Sequence, residues 1–294
     1  MTPGRTCASE DDNIVNSGYQ RISSLLSHSP VIQIRDRYDW AAPAMTLIDR
    51  EQRICGNCGR SGERLVLVSL YSFGSPDLDL RPPDDERSTM EIWLDVCDGC
   101  GYCAPDLTQV PSNRQILEVA AYRDALTRED LPKLARRFFA HAIAKSASDP
   151  LEAALNYLRA AWVCDDARLT SQSDECRMLA AEYFRHSKPF SDDEAGRNLQ
   201  AVFVDVLRRS GQFEEACAES QQVIANPAVA GTVIHVLQYE RTLIAQADKR
   251  AHQVDEALPP RFRDLDRKKF WTFFLSFVVL VLITMYYVDQ WLRS

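Results

Sequence analysis

Between residues 112 and 255, apolar side chains return every three or four positions. Leu134, Phe138, Phe139 and Ile143 fall on one face of a helix over 131–147. The same period predicts helices over 151–163, 175–186, 195–209, 213–224 and 233–247. Pro150 suits the first turn of the second of these, with Asp149 as its cap. Gly211 suits the left-handed residue that ends a helix. Helices of this length on short connections predict stacked antiparallel pairs. Upstream, the period shortens to two. Residues 65–71 form an apolar, β-rich run, and Met90, Ile92, Leu94 and Val96 alternate with Glu91, Trp93 and Asp95 as in a half-buried strand. Pro and acidic residues mark 74–87 as a solvated loop in which Asp77, Asp79, Asp84, Asp85 and Glu86 match no calcium-loop spacing. A further short strand is expected at 31–34, and the apolar residues of 40–48 are expected to cover the segment that follows.

The ends differ in character. Residues 1–30 are polar, rich in Ser and Asp and without period, which predicts a mostly disordered lead-in with no secretory signal. Residues 270–288 carry no charge, Gly or Pro, and Trp271, Tyr286, Tyr287 and Trp291 lie near their ends. This pattern predicts a transmembrane helix. Arg261, Arg263, Arg267, Lys268 and Lys269 precede it and only Arg293 follows. That asymmetry predicts a single-pass membrane protein whose large N-terminal part is cytoplasmic.

Candidate chemistry is concentrated in two knuckles, Cys55-Gly56-Asn57-Cys58-Gly59 and Cys97-Asp98-Gly99-Cys100-Gly101. A thiolate pair from each supplies the four ligands of a tetrahedral site, which suits Zn(2+). Glycine after the second Cys lets the backbone turn beneath the metal. Knuckle, strand, loop, strand, knuckle is the order of a zinc ribbon. Four thiolates leave no coordination position for water, so the expected metal is structural. Similar knuckles hold the iron of a rubredoxin-like electron carrier, and sequence separates the two metals poorly. Cys100-Gly101-Tyr102-Cys103 also matches a thiol redox tetrapeptide, but it lacks the helix N-terminus that such chemistry needs. Cys103 is then a spare thiol or an alternative ligand. Cys164, Cys176 and Cys217 fall in helical patterns, where a buried thiol acts as a small hydrophobe.

Charge narrows the function further. Among 294 residues the formal net charge is −8, which disfavours general attraction to nucleic acid. The five histidines are scattered, and no phosphate loop, serine nucleophile elbow or metalloprotease helix signature is present.

The knuckles, Asp77-Leu78-Asp79-Leu80-Arg81-Pro82 and Leu94-Asp95-Val96-Cys97 together resemble a bacterial domain family of uncharacterised activity. In that family a double-knuckle zinc ribbon precedes tetratricopeptide-like helices. Its members more often have Pro after the first Cys of each knuckle, where this chain has Gly56 and Asp98. The helical region separately resembles tetratricopeptide repeats at Ala153, Tyr157, Ala160 and Asp165, and again at Gly211, Phe213, Ala216 and Pro227. The resulting expectation is an α+β chain. It comprises a lead-in at 1–30, a zinc ribbon at 31–110, a tetratricopeptide-like helical domain at 111–257, a basic linker at 258–269, the membrane helix at 270–288 and a tail at 289–294. The expected role is non-enzymatic: a membrane-anchored adaptor with structural Zn(2+) at Cys55, Cys58, Cys97 and Cys100, whose helices bind a protein partner. The alternatives are a rubredoxin-like electron carrier or thiol redox protein, and a nucleic-acid-binding ribbon.

Overall fold

The computed structural model describes residues 46–70, 72–226, 229 and 231–259. Strands β1 (Leu47–Ile54) and β2 (Ser61–Ser69) pair antiparallel, with Ile54 opposite Ser61. The first knuckle is the turn of this hairpin. Strands β3 (Asp95–Val96) and β4 (Cys103–Ala104) repeat the design, with Val96 opposite Cys103 and the second knuckle between them. The two sheets are separate and two-stranded. Arg64 of β2 pairs with Asp95 of β3, and Arg53 of β1 reaches Asp106 at 3.2 Å, so ion pairs bring the hairpins side by side. Two one-turn helices, α1 (Asp84–Arg87) and α2 (Met90–Trp93), lie between the hairpins.

Beyond a 3-10 helix at Arg114–Glu118, the chain is helical. It forms α3 (Ala120–Thr127), α4 (Lys133–Lys145), α5 (Pro150–Asp166), α6 (Thr170–His186), α7 (Glu194–Arg209), α8 (Phe213–Ile224), α9 (Thr232–Ala245) and the single turn α10 (Val254–Ala257). Successive helices from α3 to α9 pack against one another, and α9 also returns to α7. Helix α5 is central. Its alanines let α4 and α6 approach closely, and it buries Leu155, Tyr157, Leu158 and Trp162. Asp149 caps it as expected, accepting from the Glu152 N–H at 3.0 Å.

Helices α5, α7 and α9 end alike. Arg168, Gly211 and Ala247 take positive φ of 59°, 83° and 51°. The next N–H then bonds back across the last turn, from Leu169 to Cys164 O, from Gln212 to Leu207 O and from Asp248 to Leu243 O, at 2.8–3.0 Å.

The structure changes several expectations. The alternating segment 90–96 is not one strand. Met90 and Leu94 are buried at helical spacing, Met90–Trp93 forms a turn of helix, and only Asp95–Val96 is extended. Thr89 holds that turn by accepting from Trp93 Nε1 at 3.0 Å. Strand β1 is additional, and β2 starts before the apolar run. The segment 74–87 is not a solvated loop throughout, because Asp79 is 0% exposed. The expected strand at 31–34 and the lead-in lie outside the described residues.

The architecture with a membrane helix is also corrected. Among the described residues no helix is long and apolar enough to cross a membrane. The segment 270–288 lies outside them. Among the described residues the longest helices, α5 and α6, carry charged residues along their length and pack against one another. What stands is a mixed α/β body of small two-stranded sheets and several helices, and the single-pass membrane placement is not carried forward.

Candidate metal centre

Each knuckle is built by the same backbone bonds. In the first, Cys55 N–H donates to Arg60 O and Gly59 N–H to Cys55 O, both at 2.8 Å. In the second, Cys97 N–H donates to Tyr102 O and Gly101 N–H to Cys97 O, also at 2.8 Å. Gly59 and Gly101 have φ of +76° and +73°, a conformation open to glycine at little cost. Gly56 follows the first cysteine of the first knuckle. Its N–H donates to Leu107 O at 2.7 Å, and a Cβ there would lie 2.5 Å from Thr108 O. Proline has no N–H to give, so this chain uses the position to fasten the first knuckle to the segment after β4.

The four thiol sulfurs of Cys55, Cys58, Cys97 and Cys100 lie within 4.8 Å of one another. Cys55 Sγ is 3.8 Å from Cys100 Sγ, and Cys58 Sγ is 3.6 Å from Cys97 Sγ. A tetrahedron with zinc–sulfur bonds of about 2.3 Å has edges of roughly 3.8 Å. The donor set therefore fits Zn(2+), and it fits a tetrahedral iron site of the same size. Burial raises the Cys55 and Cys100 thiols. At Cys97 burial acts the same way but is outweighed by the N–H groups of Gly99 and Cys100 and by its Cys58 and Cys55 neighbours, which bring the thiol down to about 7. Knuckle amides aimed at sulfur favour the thiolate that binds metal.

Cys103 stands apart from this cluster. Its Sγ donates to Arg137 O at 3.4 Å, and burial pushes its thiol up to about 12. A nucleophilic or redox thiol needs the opposite shift. Around Cys103 the ribbon meets the helices. The Tyr122 hydroxyl accepts from Cys103 N–H at 3.0 Å and donates to Gly101 O at 2.9 Å, while His141 Nδ1 lies 3.0 Å from Cys103 O.

A metal held by both Cys58 and Cys97 would close a loop spanning 39 positions. Because such a site forms only in the folded chain, the free energy of metal binding would add directly to folding. That loop contributes Asp79 to a buried cluster that the sequence did not reveal. Asp79 Oδ2 lies 3.1 Å from Arg177 Nη2 and 2.7 Å from Arg209 Nη1. Asp165 Oδ2 accepts from the same two arginines at 2.6 and 2.8 Å. Burial would raise the Asp79 carboxyl, but Arg209 and Arg177 outweigh it and hold it below the usual range. Asp77, mostly buried and next to Asp79, is instead pushed up to about 6. A second buried cluster joins Arg208 to Asp205 and Glu240, where burial and Asp205 push Glu240 well up.

Comparison with family models, with curated proteins and with solved structures returned no match.

Proposed function

We propose that this chain is a non-enzymatic interaction protein, with a structural zinc ribbon and a helical body that holds a protein partner. The observation that carries the reading is the closed donor set. All four corners are thiols, so a bound metal has no position left for water or substrate. The buried charges around the helices support it, since Arg177, Arg209, Asp79 and Asp165 neutralise one another.

The helical body supplies shape rather than reactive groups. Helix pairs α5/α6 and α7/α8, with their recurring end geometry, support a tetratricopeptide-like stack. The repeat is irregular: the left-handed residues lie 211 − 168 = 43 and 247 − 211 = 36 positions apart. Such stacks present surfaces suited to a peptide or helix. The face of the β1–β2 hairpin that carries buried Leu67 adds exposed Ile48, Ile54 and Leu65.

Two measurements on the full chain test this reading. Metal analysis with a visible spectrum is expected to find one zinc and no colour, whereas a coloured iron protein that accepts electrons reversibly would make it an electron carrier. Photo-crosslinkers placed at exposed Met178 on α6 and at Ile54 are expected to capture one recurring protein. Absence of any reproducible adduct at both positions would sink the scaffold role.

A further inference from the structure

We infer that the segment between the knuckles is a strap that makes metal binding and helical packing one cooperative event. This inference rests on the zinc reading above. The strap leaves the ribbon after β2 and returns to it at β3, so the metal holds its two ends together. Between those ends it is bound to the helical body. Val254 N–H donates to Pro76 O at 2.9 Å, and Leu78 N–H donates to His252 O at 2.8 Å. Leu78 is buried, and Leu80 takes a φ of 63° that turns the chain inward. Asp79 enters the pair of arginines from α6 and α7, and Arg81 pairs with Asp166 at the end of α5. One segment thus touches α5, α6, α7 and the stretch that follows α9.

The physical consequence runs in both directions. Without metal the two strap ends separate, and holding Asp79 in place costs the entropy of an open chain. If Asp79 leaves, Arg177 and Arg209 keep only Asp165 between them. A buried positive charge without its partner strongly destabilises its surroundings. By reciprocity, whatever releases the strap weakens metal binding by the same factor. The chain then reports zinc occupancy as the rigidity of α6 and α7, which are distant in sequence from every knuckle cysteine.

The test uses the full chain with zinc as the probe. Amide hydrogen exchange over 170–209 is compared before and after a chelator removes the metal, and zinc affinity is measured by equilibrium competition with a coloured chelator for the wild type, for Asp79→Asn and for the exposed control Val110→Ser. Exchange over 170–209 is expected to quicken about tenfold or more on zinc removal, and Asp79→Asn is expected to bind zinc about tenfold more weakly while Val110→Ser does not. Unchanged exchange after zinc removal overturns the inference while leaving structural zinc intact, even if Asp79→Asn fails to fold. A chain that takes up no zinc overturns both readings.

Discussion

In the β1–β2 hairpin, Leu67 is the one buried side chain of the two strands, and Leu47, Ile48, Ile54 and Leu65 face water. In α5, by contrast, most side chains from Ala153 to Cys164 are buried, and its neighbours bury even arginine and aspartate. The hairpin has too little core to hold itself, which is the situation in which small folds use metal. The helical body is held by packing and by charges that match inside it. Equal chemical changes should therefore have unequal effects in the two regions, and the strap decides how far each effect travels.

The largest effect is expected from Cys97→Ser. It removes a ligand, so metal is lost along with the binding free energy that it adds to folding. Ribbon amide resonances should collapse, and the thermal midpoint of the helices should fall as well. Retained metal with an unchanged midpoint would break the comparison on the ribbon side.

Arg177→Ala comes next. It leaves Asp79 and Asp165 sharing Arg209, and breaking one partner of a buried ion pair costs about 3–5 kcal/mol. Denaturant unfolding measures it, and a loss under 1 kcal/mol would mean that water reaches the cluster.

A pH series tests the junction between the regions. Burial brings His141 down to about 4, from an ordinary value near 6.5. Between those values the unfolded chain binds more protons, so this group makes stability rise with pH, by roughly 3 kcal/mol in all. Asp77 acts oppositely. Its carboxyl titrates at about 6 in the fold and near 3.8 when unfolded, so stability falls as pH rises between those values. The two trends offset each other from about pH 4 to 6. Asp77→Asn should steepen the rise, and His141→Asn should leave a decline. Denaturant midpoints at pH 4.5, 5.5 and 6.5 separate them, and identical profiles in all three proteins would remove both assignments.

The smallest effect is expected at Ile54→Ser. The side chain is 62% exposed, so stability should stay within about 0.5 kcal/mol and metal should be retained. A loss above 1 kcal/mol would show that this face is covered.

The contrast between the regions also governs what could be read from the residues. The knuckles were legible because metal ligation fixes Cys spacing locally, and the helices because one buried face imposes a period. The role of Asp79 was not, since Arg177 and Arg209 lie 98 and 130 positions away and an acidic, Pro-rich stretch looks solvated on its own. Residues 90–96 misled because Met90, Ile92, Leu94 and Val96 fit a strand, while burial at Met90 and Leu94 fits a turn of helix equally well. The helix end at Gly211 carried its glycine signal, whereas Arg168 and Ala247 adopt the same conformation without one.

The central claim is that four thiolates hold one structural metal that closes the ribbon. Native mass spectrometry of the full chain, purified without chelator and paired with thiol alkylation before and after metal removal, tests it most directly. The account predicts one zinc per chain, with Cys55, Cys58, Cys97 and Cys100 protected until the metal is withdrawn. A metal-free chain whose four thiols react at once, and which stays folded, would contradict it.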